Sequence, residues 1–236
     1  MNRPLTLLAL SIFLALPTLH ALAESPAPEP ATQESKSAPD VDAEKKAAEW
    51  AASLNLNDAD KEARVREVIR THLAAVRDWH NSHDPNTVPA GINPATGGKL
   101  SALDRQIIID STLPKSVHDS LMAGLRADLT DEQVEAVLDK YTVGKVAFTL
   151  KGYQAIVPDL TPQEEAEIVK QLKIAREQAV DFKSMKEISG IFEIYKTKCE
   201  QYLNSKGRNW HQLFSTYVKA QKAKKKPAST QAVEAP

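Results

Sequence analysis

The chain of 236 residues contains one cysteine, Cys199. That excludes an internal disulfide and the zinc sites built from several cysteines. Neither sign of charge is in excess, with 30 basic and 31 acidic residues. Such a balance argues against nucleic acid as a partner. Beyond the N-terminus no segment reaches the eighteen or so uninterrupted apolar residues of a transmembrane helix, so no membrane span is expected in the rest of the chain. Walker loops, dinucleotide-binding glycine motifs, Gly-x-Ser-x-Gly and His-Glu-x-x-His are all missing. No cofactor and no metal site is therefore expected, and the sequence names no catalytic residue.

What is present begins with an address. Arg3 is followed by an apolar run from Leu5 to Leu16 and then by Ala21-Leu22-Ala23. This order is that of a secretory signal peptide, residues 1–23, and it implies a periplasmic or secreted protein. Residues 24–41 are rich in Pro, Ala, Ser and Glu and read as a disordered linker. Residues 42–219 read as one helical domain, and residues 220–236 as a disordered lysine-rich tail.

The expected fold is all-α, a multi-helix bundle. Asn57 and Asp58 can cap a helix from about Ala59 to His83. Its apolar stripe holds Val65, Val68, Ile69, His72, Val76 and Trp79, with Arg66, Arg70 and Arg77 forming a basic stripe beside it. Asp84-Pro85 ends it. A loop rich in proline and glycine, Pro85 to Lys99, follows. Loops this long inside a domain are often functional or mobile. Ser101/Asp104, Thr130/Gln133 and Thr161/Glu164 are spaced as capping boxes and mark three further helix starts. Pro114 suits the first turn of another helix. From Ile168 an apolar stripe runs unbroken by proline to Tyr202. It predicts one long C-terminal helix, or a pair joined near Ser189-Gly190. A short helix from about Asn209 to Lys219 closes the domain. Residues 143–157 fit either a helix or a small hairpin, and the helix is favoured because no other strand is evident for pairing.

The densest polar cluster is Arg77-Asp78-Trp79-His80-Asn81-Ser82-His83-Asp84. His80 and His83 lie one helical turn apart and could chelate an ion with Asp84. No third ligand follows from spacing, so the polar end of a helix is the plainer reading. The Arg66, Arg70, Arg77 stripe could grip an acidic ligand bidentately or simply pair with neighbouring acids. Trp210, beside Arg208, Asn209 and His211, could stack on a sugar ring or anchor the last helix. Lys145, Lys151 and Tyr153 carry no sign of an activated acid or base. Cys199 falls on the apolar stripe and reads as a small core residue. The candidate ligand-binding residues are thus Arg77, Asp78, His80, Asn81, Arg208, Asn209 and Trp210. The first four are expected to face the last three across one site covered by the Pro85–Lys99 loop.

The phrases KAAEWAASLNLND, RDWHN, VPAGINPATG, DKYTVGKVAFTLKGYQAIVPDLT and IYKTKCEQYLNSKGRNW resemble the secreted bacterial family catalogued as domain of unknown function 3826. The resemblance covers about residues 45–217. It implies an extracytoplasmic protein of bacteria that degrade plant polysaccharide, and carries no site residues. Leu129 to Gln133 also resembles the LTxxQ motif of small periplasmic chaperones, although the second copy has Glu164 in place of glutamine. Three functions stay open: a non-catalytic accessory or binding protein linked to polysaccharide use, with acidic glycan as a partner; an enzyme acting on acidic plant polysaccharide; and a holdase-like chaperone. A binder requires an exposed aromatic platform, an enzyme a closed polar pocket, and a chaperone a broad apolar concave face.

Overall fold

A computed structural model of the protein describes residues 38–94 and 96–225. The expected signal peptide, most of the expected linker and the end of the tail lie outside the described residues. Within them are nine α-helices and no sheet: α1 Ala38–Ala52, α2 Ala59–Ser82, α3 Ala102–Asp110, α4 Lys115–Asp128, α5 Asp131–Thr142, α6 Lys145–Ile156, α7 Pro162–Ala179, α8 Met185–Ser205 and α9 Trp210–Lys225. None of the described helices is long and apolar enough to cross a membrane. The all-α expectation holds, and residues 145–156 are helical rather than a hairpin.

The starts are set by caps. Asp58 accepts from the Lys61 backbone N–H at the head of α2. Ser101/Asp104, Thr130/Gln133 and Thr161/Glu164 close as full capping boxes on α3, α5 and α7. Each satisfies two backbone donors that a helix start leaves unpaired. A fourth box, Ser184/Glu187, opens α8.

Four details depart from the sequence reading. The C-terminal stripe is carried by two helices, but they separate at residues 180–184 rather than near Ser189-Gly190. Gly190 lies inside α8, where a Cβ would meet Ile107 Cδ1 of α3 at 2.5 Å. The glycine is therefore a point of close approach between helices. Helix α1 takes in Ala38–Val41, assigned above to the linker, and its remainder has no counterpart among the expected helices. Helix α9 extends into residues 220–225 of the expected tail.

The core has two parts. Ala47 and Ala51 of α1, Val65 and Ile69 of α2, Leu121 and Leu125 of α4 and Val137 and Tyr141 of α5 form the first. Ile168, Leu172 and Ala175 of α7 with Ile191, Phe192, Tyr195, Cys199 and Leu203 of α8 form the second. Helix α7 also packs on α5. There Arg176, almost fully buried, pairs with Glu135 at 2.9 Å and Asp139 at 2.7 Å. The Pro85–Lys99 loop begins with a single 3₁₀ turn, Pro85–Thr87. It then folds on itself through an isolated bridge between Ile92 and Lys99. Asn93 fastens it to α3 by donating to Asp104 at 3.0 Å.

Candidate functional site

Helix α2 buries Val65, Ile69, His72 and Val76 on one face. His80, one turn beyond Val76, continues that face to the rim of the domain. Two other elements meet it there. Helix α3 is short, so Asp110 is its last residue and Gln106 sits one turn before. Helix α8 begins at the same point, with Glu187 in its first turn. The missing Cβ of Gly190 leaves room for Ile107 where α3 packs on α8, at the end where the two acids meet.

The result is a compact polar centre. His80 Nδ1 lies 2.6 Å from Asp110 Oδ2 and 3.4 Å from Glu187 Oε1. Gln106 Nε2 donates to Asp110 Oδ2 at 3.0 Å. One potential ligand atom from each of His80, Asp110 and Glu187 falls within 4.8 Å of the others. Asp110 is 3% exposed and Glu187 1% exposed, while His80 is partly open to solvent. Glu187 divides its two oxygens. Oε2 accepts from Ser184 N–H at 2.8 Å and so caps α8. Oε1 faces His80 and, like Asp110 Oδ1, is buried with no hydrogen-bond partner beyond the neighbouring carboxyl. Burial, followed by the neighbouring Asp110 carboxyl, pushes Glu187 above the usual carboxylate range. Burial pushes Asp110 the same way, but hydrogen bonding with Glu187, Gln106 and His80 outweighs it and holds Asp110 below its ordinary value. One carboxyl thus keeps its proton more readily than the other, as expected for two acids sharing a small dry space.

Other residues of the predicted cluster serve the frame. Arg77 Nη1 donates to Asp40 Oδ1 of α1 at 2.7 Å, and its Nε donates to Asp78 Oδ1 at 2.7 Å. Asn81 Oδ1 accepts from Lys183 Nζ at 2.6 Å. His83 does not join His80. Its ring stacks on Trp79 with centroids 3.7 Å apart, and its Nδ1 lies 2.8 Å from Trp79 O. Arg66 and Arg70 approach Glu44 of α1 at 3.5 and 3.9 Å. The basic stripe therefore faces acids of α1 and of α2 itself.

Arg208, Asn209 and Trp210 lie at the other end of α8. From Glu187 to Leu203, whose carbonyl accepts from Arg208 N–H, is about 24 Å at 1.5 Å per residue. The two predicted clusters are thus separate, contrary to the shared site expected above. All three guanidinium nitrogens of Arg208 are occupied by groups of the protein itself. Nε and Nη2 donate to Glu164 at 2.9 and 2.8 Å, and Nη1 donates to both Asp159 oxygens at 2.8 Å. The Arg208 guanidinium, followed by the Thr161 backbone N–H, pulls Glu164 down to about 2. Asn209 Oδ1 accepts from Gln212 N–H at 3.0 Å at the start of α9.

Trp210 does face a recess. It packs against Tyr153 and Phe214 with centroids 5.1 and 6.0 Å away. Together with Phe148, Tyr217 and Gly152 these side chains line a cleft of about 750 Å³ between α6, α8 and α9. Phe148 is 77% exposed and Phe214 47% exposed. Lys145, Lys151 and Lys196 line the same cleft, as do Glu193 and Glu200. Lys196 pairs with Glu193 at 2.9 Å. Tyr153 donates its hydroxyl to Lys196 O at 3.1 Å, and burial pushes its pKa upward.

Sequence reasoning also missed a second histidine–carboxylate group. Asp181 accepts from both His72 Nε2 at 3.0 Å and His118 Nδ1 at 2.9 Å. The Asp181 carboxylate raises the pKa of His118. Burial works to raise Asp181, but the two histidines outweigh it and hold it low. His72 was legible as a core residue, whereas nothing local to His118 or Asp181 announces their meeting.

These features define an all-helical domain with a buried histidine–carboxylate centre at one end of α8 and an open aromatic cleft at the other. The family model described as "Protein of unknown function (DUF3826)" matches residues 41–223, and the chain belongs to that family. No curated protein matches it.

Proposed function

We propose that this domain is a non-catalytic binding protein, exported from the cytoplasm, that takes an acidic oligosaccharide in the α6–α8–α9 cleft. The observation that carries this reading is the aromatic lining of the cleft, with Phe148 and Phe214 exposed and Trp210 and Tyr217 half-buried beside them. Aromatic faces stack on the apolar faces of sugar rings, and such side chains are seldom left open to water in a group without use. Lys145 and Lys151 stand at the same cleft, where a uronate carboxylate would meet them. Gly152 widens it, since a Cβ there would touch nothing within 4 Å. No packing constraint accounts for a glycine in mid-helix at that point, where it costs about 1 kcal/mol relative to alanine.

The enzyme reading is weaker. Asp110 and Glu187 are closed from solvent, and of the two acids lining the aromatic cleft Glu193 is paired with Lys196. The chaperone reading wants a broad apolar face, whereas the exposed aromatics here are confined to one cleft.

The test is affinity electrophoresis and intrinsic tryptophan fluorescence with polygalacturonate and with a neutral glucan. Retardation by the acidic polymer, abolished in Trp210→Ala and Phe148→Ala, is expected. Salt should weaken it by screening the lysines. Absence of retardation by any acidic glycan, or retention unchanged in both variants, would overturn the reading.

A further inference from the structure

The geometry points to a binding site for one zinc-class divalent cation formed by His80 Nδ1, Asp110 and Glu187. The site lies at the opposite end of α8 from the aromatic cleft and stands independently of the reading given to that cleft. Three observations carry it. First, one imidazole nitrogen and two carboxylates converge within 4.8 Å, and zinc takes nitrogen and oxygen donors of these kinds. Ligands of a tetrahedral ion at about 2.0 Å stand roughly 3.3 Å apart. His80 Nδ1 and Glu187 Oε1 are already at 3.4 Å, and the 2.6 Å approach of His80 to Asp110 needs to open by a fraction of an ångström.

Second, Glu187 Oε1 and Asp110 Oδ1 are fully enclosed and, apart from the approach of the two carboxyls to each other, have no hydrogen-bond partner. Buried carboxylate oxygens are normally satisfied, so a pair of orphans beside one imidazole calls for an explanation. Among the described residues, the ion-pairing partner of both acids is His80, and no lysine or arginine reaches them. A dication would neutralise both carboxylates at once.

Third, the surroundings are built to hold these groups still. Gln106 fixes Asp110 by donating to Oδ2, and Ser184 fixes Glu187 through the cap at Oε2. Such outer contacts orient metal ligands. Because His80 is the partly exposed member, entry is from its side, and a fourth position there is left to water or an exogenous ligand.

The test uses the full exported chain, stripped with chelator and titrated with zinc by calorimetry, and with cobalt by visible absorption. Zinc should bind at one equivalent, and cobalt should show the absorption of a tetrahedral nitrogen–oxygen set. At a hundredfold excess over the dissociation constant the thermal midpoint should rise by about 5 to 10 °C. Glu187→Gln retains the cap on α8, since glutamine serves equally at that position, but loses the charge. It and His80→Gln should each weaken zinc at least tenfold while keeping a metal-free midpoint near that of the parent. His118→Gln, which alters the other histidine–carboxylate group, should leave zinc affinity unchanged. Failure of the parent chain to bind zinc or cobalt overturns the assignment. So does equal binding by Glu187→Gln and His80→Gln, or loss of binding in His118→Gln instead.

Discussion

The same substitution, glycine to alanine, should act with opposite sign at two helical positions. In α6, a Cβ on Gly152 would meet no atom within 4 Å. Alanine there removes conformational freedom from the unfolded chain and adds no clash. The gain is about 0.5 to 1 kcal/mol. For a domain of this size the thermal midpoint should rise by about 1 to 4 °C. In α4, a Cβ on Gly124 would lie 2.6 and 2.9 Å from the two methyl carbons of Val68 on α2. Valine is branched at Cβ and has one favoured rotamer in a helix, so it cannot swing aside. Helices α2 and α4 must move apart instead. Overpacking of this kind costs about 1 to 3 kcal/mol. Because both methyl groups of Val68 are met, the cost falls in the upper half of that range, and after the helix-propensity gain of about 1 kcal/mol Gly124→Ala should be less stable than the parent by about 1 to 2 kcal/mol, lowering the midpoint by roughly 2 to 8 °C. Differential scanning calorimetry of the two variants decides it. A Gly124→Ala protein as stable as the parent would refute the close approach of α2 and α4. A destabilised Gly152→Ala protein would refute an open helix face at the cleft. If sugars occupy that cleft, Gly152→Ala should also bind them more weakly despite its higher stability.

The Glu164–Arg208 pair should govern acid stability. Because Glu164 is depressed to about 2, its contribution is complete above the unfolded value of 4.5 and is lost as pH falls from there through 2. Urea midpoints of the parent should drop across that window more steeply than those of Arg208→Gln, and parallel curves would refute the link. His118 should behave in the opposite sense. With its pKa raised by Asp181, its contribution is complete below 6.5 and is lost as pH rises through the elevated folded value. The His118 ring protons in NMR should titrate with a midpoint above 6.5, and a midpoint at or below 6.5 would contradict the Asp181 pairing. Cys199 is 1% exposed, and burial pushes its thiol up to about 11. A thiol reagent should label the native protein far more slowly than the unfolded one, and rapid native labelling would disprove the burial.

Local chemistry made much of this fold readable. Ser101, Thr130 and Thr161 each announced a helix because the capping residue and its partner are three positions apart. Ser184 and Glu187 carry the same signature but went unread, because Ala179, Phe182, Met185 and Ile188 keep the apolar phase across the gap. Periodicity records which side chains face the core, and a short break that preserves the phase leaves no mark on it. Helix α1 escaped for a different reason. Its buried face is Ala43, Ala47 and Ala51, too small to stand out in a sequence rich in alanine and charge. The polar cluster at the end of α2 was legible, and His80 within it. Its partners were not, since Asp110 and Glu187 meet His80 only after α3 and α8 have packed. Arg208 looked like a ligand-binding residue because sequence shows a cation without showing the acids that occupy it.

The row of alanines on α1 bears on how short the chain can be made. Ala43, Ala47 and Ala51 let the helix axis lie close along α2, and Asp40 closes the seam by receiving Arg77. The family match starts at residue 41, one position beyond that aspartate. A version trimmed to the match would therefore begin inside a helix and leave Arg77 without its Asp40 contact. The smallest unit that carries its own N-terminal seam starts no later than Ala38, and expression of the isolated domain should be planned from there.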